Sequence, residues 1–418
     1  MTAGVPVAIT GMAILSPLAW TLDSFTATLR QGTSALRRVR TPGAPGAVAA
    51  LLHDFPFSDW AATNLPARTA SAWDRVVQQG GLPARSGACV AAQAVQAANM
   101  SASDLAAAGL IVAGNNLVND SQYTAANSNK PPRPSYFTNH LDTDVLGRVS
   151  ELLGIRGEGC TIGGASASAA LAVIAAARLI TAGFLQHCLV VAPATELGPL
   201  ELGALEAAGA LAPDDIRTAP QQLCRPFDRN RTGFVYGHGA AAVTLEPLDQ
   251  ARTRGIEPAA VLAGWAQALD ANRGTEPDPV RQAATMTRAL EHTGAQPTAV
   301  DYLNAHATGS RAGDASEAAA IRAVFGTGTR PLVNSTKPLT GHCLAAAGLV
   351  ELIATVIQLR DGFVHANPAT TDPDADAPHL AGTRSVDMPI ELAMSNSFGF
   401  SGINACLLLR RHPAGGPL

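Results

Sequence analysis

TIGGASASAALAVIAAARLITAGFLQHCLVVA spans residues 161–192. Gly163-Gly164 introduces an Ala-rich stretch that reads as a helix to about Ala182. After Gly183 comes Cys188-Leu189-Val190-Val191-Ala192, an apolar run of strand length, the pattern of a buried strand. The most apolar part, Ala165 to Ile180, is rich in Ala and Ser and contains Arg178, so it reads as a buried helix rather than a membrane span. A buried helix followed at once by a buried strand is the unit of a layered α/β fold.

The same alternation extends outward. On the N-terminal side, Val7-Ala8-Ile9-Thr10 is a short β-like run closed by Gly11, and a Pro/Gly-rich loop is expected around Pro42–Gly46. A strand at Leu110-Ile111-Val112-Ala113 ends at Gly114. The polar stretch Asn115–Pro134, with Pro131, Pro132 and Pro134, reads as a long surface loop. On the C-terminal side, a glycine-rich turn at Gly237-His238-Gly239 precedes a strand at Ala240–Leu245. Further strands are expected near Ala259–Leu262 and Tyr302, and as a final pair at Leu392–Ser395 and Ala405–Leu409. Helices are expected over Asp278–His292, Asp314–Phe325 and about Leu344–Leu359. The order implies an α/β protein of two related halves, residues 1–248 and 249–418, although residue identity alone does not prove a duplication.

At 418 residues the chain exceeds one ordinary domain, which suits two fused domains or one large duplicated core. Hydrophobic residues make up 47% and charged residues only 15%, so much of the surface must be buried. Aromatics are scarce, at 5%, and the many Ala and Gly residues suit helices packed closely on a sheet. A net charge of -4 argues against a general nucleic-acid binder. No basic stretch precedes the first apolar residues, so no signal peptide is expected. The six cysteines, Cys89, Cys160, Cys188, Cys224, Cys343 and Cys406, are scattered without a CxxC pair. They read as buried free thiols in a reducing, cytoplasmic setting, and no Cys/His cluster has the spacing of a metal site.

Common catalytic signatures are missing. There is no GxxxxGK[ST] phosphate loop, no HExxH and no GxSxG around Ser166. Gly237-His238-Gly239 lacks the third glycine of a dinucleotide fingerprint.

Four segments carry chemistry instead. They are Gly164-Ala165-Ser166-Ala167-Ser168 and Asn304-Ala305-His306-Ala307-Thr308-Gly309-Ser310, the latter followed by Asp314 and Glu317. The others are Asn334-Ser335-Thr336-Lys337-Pro338-Leu339-Thr340-Gly341-His342 and Asn396-Ser397-Phe398-Gly399-Phe400-Ser401-Gly402-Ile403-Asn404. Together, in this order, they resemble the β-ketoacyl-acyl carrier protein synthases. The family reads Thr-Ala-Cys-x-Ser at the first segment, so Ser166 stands at the catalytic cysteine, the register being fixed by Ala176-Ala177-Arg178 and Gly183. Arg225-Pro226-Phe227-Asp228 and Gly233-Phe234 also match, whereas His238 replaces the glutamate of the family's Gly-Glu-Gly-Ala.

The resemblance covers nearly the whole chain and implies a thiolase fold, duplicated halves in a five-layer αβαβα arrangement. It implies catalytic roles for Ser166, His306, His342 and Lys337. It also implies substrate contacts from Thr308, Ser310, Phe398, Phe400 and Asn396, with Phe400 gating the acyl pocket and Glu317 pairing with Lys337. Thr308 and Ser310 would hold the phosphopantetheine arm of an acyl carrier protein, with no cofactor of the enzyme's own. Two histidine N–H donors would stabilise the enolate left when a malonyl thioester loses CO2. Serine, a far weaker acid than cysteine, would need a general base to become a nucleophile.

This combination resembles the ketosynthase-like malonyl-acyl carrier protein decarboxylases of polyketide β-branching cassettes, whose product feeds an HMG-CoA-synthase-like partner. Two rivals are a non-catalytic chain-length-factor-like subunit and a serine-based acyltransferase or condensing enzyme. Gly164 and His238 also depart from the family, which favours a natural serine over a cysteine exchanged in the laboratory. A homodimer is expected, with neither nucleic acid nor membrane as partner. His53, His140, His187, His292, His365, His379 and His412 are given no role.

Overall fold

A computed structural model describes residues 5–41, 44–52 and 55–412. His53, Pro42 and Gly43 lie outside the described residues. Ten strands form the main sheet. The first five are β1 (Val7–Leu15), β2 (Gly109–Ala113), β3 (Gly159–Ile162), β4 (Cys188–Ala192) and β5 (Ala240–Pro247). The second five are β6 (Ala260–Leu269), β7 (Tyr302–Asn304), β8 (Leu332–Asn334), β9 (Leu392–Gly399) and β10 (Ile403–Arg410).

The spatial order β8-β7-β9-β10-β6-β1-β5-β4-β2-β3 holds the duplication that residue identity could not prove. Each half runs third, second, fourth, fifth, first. In each half the second strand pairs in parallel with the third and the fourth, and the remaining pairs are antiparallel. The halves join where Val7, Ala8 and Ile9 of β1 pair with Leu262, Val261 and Ala260 of β6.

Five helices cover the two halves: α1 (Leu82–Ala97), α2 (Ser168–Thr181), α3 (Pro279–Thr293), α4 (Arg311–Phe325) and α5 (Ala347–Asp361). Helices α2 and α5 touch each other and strands of both halves, which makes them the middle layer. Their composition requires that place. Every residue of α5 from Ala347 to Leu359 is buried, and α2 buries Ala, Val and Ile around most of its circumference. Helix α1 covers β1, β4 and β5 on one outer face, and α3 covers β6 and β10 on the other, with α4 beside it. The result is the five-layer αβαβα architecture.

Several local expectations are corrected. Strand β1 does not close at Gly11 but runs through it to Leu15, with a register shift between Ile9 and Gly11. The glycine is needed because a Cβ there would lie 2.1 Å from the Ala94 carbonyl oxygen of α1. Gly237 is likewise no turn residue. It lies in an extended strap, where a Cβ would meet the Thr340 carbonyl oxygen at 2.3 Å. Ala44–Gly46, expected in a loop, belong to a strand, Ala44–Ala49, paired with Arg37–Thr41. The polar stretch after β2 contains a helix, Asn119–Ala126. Five cysteines are buried, but Cys160 in β3 is exposed, because β3 is the open edge of the sheet.

Candidate active site

Ser166 sits in the 3-10 turn Ala165–Ala167 between β3 and α2. The preceding residue, Ala165, has φ 48°, a left-handed conformation that costs a non-glycine residue about 1–2 kcal/mol. The second half repeats the device: Leu344, at φ 51°, opens the 3-10 turn Leu344–Ala346 that leads into α5. The duplication therefore reaches the turn that presents Ser166.

His306 follows β7, and His342 follows the short helix Lys337–Thr340 beyond β8. Their rings lie edge to face, with centroids 5.5 Å apart. Ser166 Oγ is 2.9 Å from His342 Nε2. The Leu344 N–H donates to His342 Nδ1 at 3.3 Å, so the ring proton belongs on Nε2. His342 is therefore a donor towards Ser166. Lys337 Nζ approaches His306 Nδ1 at 3.5 Å and donates to the His306 carbonyl oxygen, which likewise leaves Nε2 to carry the His306 proton. Burial, with the Lys337 charge second, holds both imidazoles well below the usual histidine range; His342 adds to the effect on His306. Two neutral N–H donors thus share the cavity with the serine hydroxyl, and one of them, His342, is bonded to it.

Supporting groups fix this arrangement. Lys337, fully buried, forms its ion pair with Glu351 of α5 at 2.5 Å rather than with Glu317. Glu317 accepts the backbone N–H groups of His306 (3.0 Å) and Ala307 (2.7 Å) and the side-chain amide of Asn396 (3.0 Å). Asp314 accepts the N–H groups of Thr308 (3.0 Å) and Gly309 (3.1 Å). The histidine loop is thus clamped by two acids of α4. Glu351 was not anticipated, yet it is the one charged residue in the apolar run Leu344–Leu359.

An open cavity of about 1350 Å³ connects these groups to solvent, and Ser166, His306, His342, Thr308, Ser310, Phe398 and Phe400 all line it. Thr308 Oγ1 donates to Ser310 Oγ at 3.0 Å. Phe398 packs edge-on to His306, and Phe400 is exposed at the hairpin tip between β9 and β10. Lys337 and Asn396 do not reach the cavity wall. They stand behind the histidine loop, and Asn396 holds Glu317 where a substrate contact was expected. Among the described residues no cluster of His, Cys, Asp and Glu could hold a metal ion, and no helix is long and apolar enough to cross a membrane.

Residues 5–251 match the N-terminal domain of beta-ketoacyl synthases and residues 259–371 match the C-terminal domain. The chain belongs to the beta-ketoacyl synthase family. Across 97% of its length it is 30% identical to a polyketide biosynthesis malonyl-ACP decarboxylase, PksF, of Bacillus subtilis, covering 96% of that protein. It is 32% identical to 3-oxoacyl-[acyl-carrier-protein] synthase 2 of Vibrio harveyi, covering 97% of this chain and 98% of that one. The ishigamide ketosynthase/chain length factor superposes with a TM-score of 0.85 at 25% identity, covering 98% of this chain and 100% of the other.

Proposed function

We propose that the chain is a ketosynthase-like decarboxylase that converts malonyl-acyl carrier protein to acetyl-acyl carrier protein and CO2. One observation carries this reading: His342 Nε2–H points at Ser166 Oγ and so cannot take its proton. A serine without a base is a poor nucleophile, so no acyl group is loaded for an enolate to attack. The two N–H donors meanwhile suit the enolate itself. The bond between the α-carbon and the carboxylate breaks, its electron pair passes into the thioester as an enolate, and CO2 departs. With no acyl electrophile present, the α-carbon takes a proton from water to give the acetyl thioester.

The likeness to the malonyl-ACP decarboxylase of Bacillus subtilis supports this assignment. Thr308 and Ser310, on the cavity wall, would receive the phosphopantetheine arm, and no cofactor of the enzyme's own enters the scheme. The exposed edge of β3 beside Ser166 would pair with a second copy to form a homodimer. Acetyl-carrier made this way would feed an HMG-CoA-synthase-like enzyme that installs a β-branch. A chain-length-factor role fits poorly with two intact histidines, one of them on a clamped loop, and serine-based acyl transfer fits poorly with the His342 tautomer.

Incubation of the protein with malonyl-loaded carrier, followed by mass spectrometry, tests the proposal. Loss of CO2 without an adduct on Ser166 is expected. Unchanged malonyl-carrier would overturn the reading, and an acyl-serine would replace it with acyl transfer.

A further inference from the structure

The strap from Phe234 to Gly239 carries His342. Phe234 meets the His342 ring edge-on at 5.0 Å. The His342 N–H donates to the Val235 carbonyl at 2.7 Å, and the Gly237 N–H donates to the His342 carbonyl at 3.1 Å. On its other side the strap is tied to Ala50, whose N–H donates to the Tyr236 carbonyl (3.0 Å) and whose carbonyl accepts from the His238 N–H (2.7 Å).

His238 does more than occupy this strap. The Leu52 N–H donates to its Nδ1 at 3.1 Å, so Nε2 carries the ring proton and donates to the Tyr236 hydroxyl at 2.9 Å. That hydroxyl also accepts the Leu197 N–H at 3.2 Å and gives its one proton to the Thr195 carbonyl at 2.5 Å. Its lone pairs and its proton are all used. Burial drives the Tyr236 phenol above its usual range, which keeps the proton in place. Thr195 and Leu197 line the cavity that holds Ser166.

We propose that His238 is a positioning residue of this site: through Tyr236 it locks the Thr195–Leu197 wall to the strap that carries His342. Polarity decides the argument. A carboxylate at position 238, which the family resemblance leads one to expect, can only accept. It would draw the Tyr236 proton to itself, and the buried Thr195 carbonyl would lose that donor. A donor at 238 is what frees Tyr236 to hold the wall.

The activity arm of the test rests on the decarboxylase reading, and the exchange arm does not. H238E and Y236F are expected to lower kcat for CO2 release from malonyl-carrier about tenfold, with a smaller change in KM. H238Q, whose amide keeps both an acceptor and a donor, should recover most of the loss seen in H238E. Amide hydrogen exchange across residues 195–197 should quicken in H238E and Y236F but not in H238Q. The double variant should be no worse than Y236F alone. The inference is overturned if H238E exchanges like wild type, or if H238Q is as damaging as H238E. If wild type releases no CO2, the decarboxylase reading falls, while exchange still decides the place of His238.

Discussion

Ser166 Oγ lies 2.9 Å from His342 Nε2 and is the accepting partner, because the Leu344 N–H already occupies Nδ1. In a hydrolase the polarity of a serine–histidine pair is the reverse, with the imidazole taking the hydroxyl proton. Here the imidazole is the donor and the serine hydroxyl the acceptor. The serine hydroxyl fills the space of a thiol without its acidity, and the backbone of Leu344 forbids the tautomer that would compensate.

On the proposed decarboxylase reading, S166A should therefore still release CO2. Loss of one hydrogen bond to a neutral hydroxyl is expected to change kcat by less than about tenfold. Single-turnover release of CO2 from malonyl-carrier measures it. Abolished turnover would mean that Ser166 acts on the substrate directly.

H306A and H342A each remove one of the two N–H donors. Each should reduce kcat by about 10²–10³-fold, while binding of malonyl-carrier changes little. The double variant should fall short of the product of the two losses, since in the proposed reaction one enolate oxygen would serve both donors. An unchanged rate in either single variant would exclude that histidine from the enolate site.

Much of this site is visible in the sequence, and what is hidden is long-range. Helix α2 and strand β4 are contiguous apolar runs that declare themselves, and Ser166, His306 and His342 stand inside ordered motifs. The partner of Lys337 does not declare itself. Glu317 and Glu351 are both near in sequence, and the packing of α5 between the sheet halves decides in favour of Glu351. Gly11 looked like the end of a strand because the helix carbonyl it must accommodate, that of Ala94, is far along the chain. Asn396 and Phe398, two residues apart in β9, share one face of the sheet. Phe398, nearer the hairpin tip, reaches His306 and the cavity, while Asn396, one pleat further back, meets Glu317, which holds the histidine loop.

Stability should fall on acidification because of the same two histidines. Unfolded, each binds a proton near pH 6.5, whereas in the folded chain each stays neutral to a much lower pH. Their contribution is present above pH 6.5 and is lost as the pH falls through the folded values. Denaturant melts at a series of pH values should show this slope in wild type, and a weaker one in H306A/H342A. The acid limb of kcat should likewise lie below pH 6.5, since the neutral ring is the working donor.

The Lys337–Glu351 pair should act on both fold and rate. Both side chains are buried, at 0% and 2% exposure, and burial pushes the Glu351 carboxyl up to about 7 even though Lys337 opposes the shift. E351A strands an ammonium in the core and should cost about 3–5 kcal/mol of stability. E351Q keeps the volume and an acceptor for Lys337, so its loss should be smaller. Ionisation of a carboxyl raised from 4.5 to about 7 costs stability as the pH rises through that window, and E351Q should remove this slope. Because Lys337 also holds the His306 carbonyl, E351A should lower kcat in the fraction that remains folded. A stable, fully active E351A would show that Lys337 finds its anchor elsewhere.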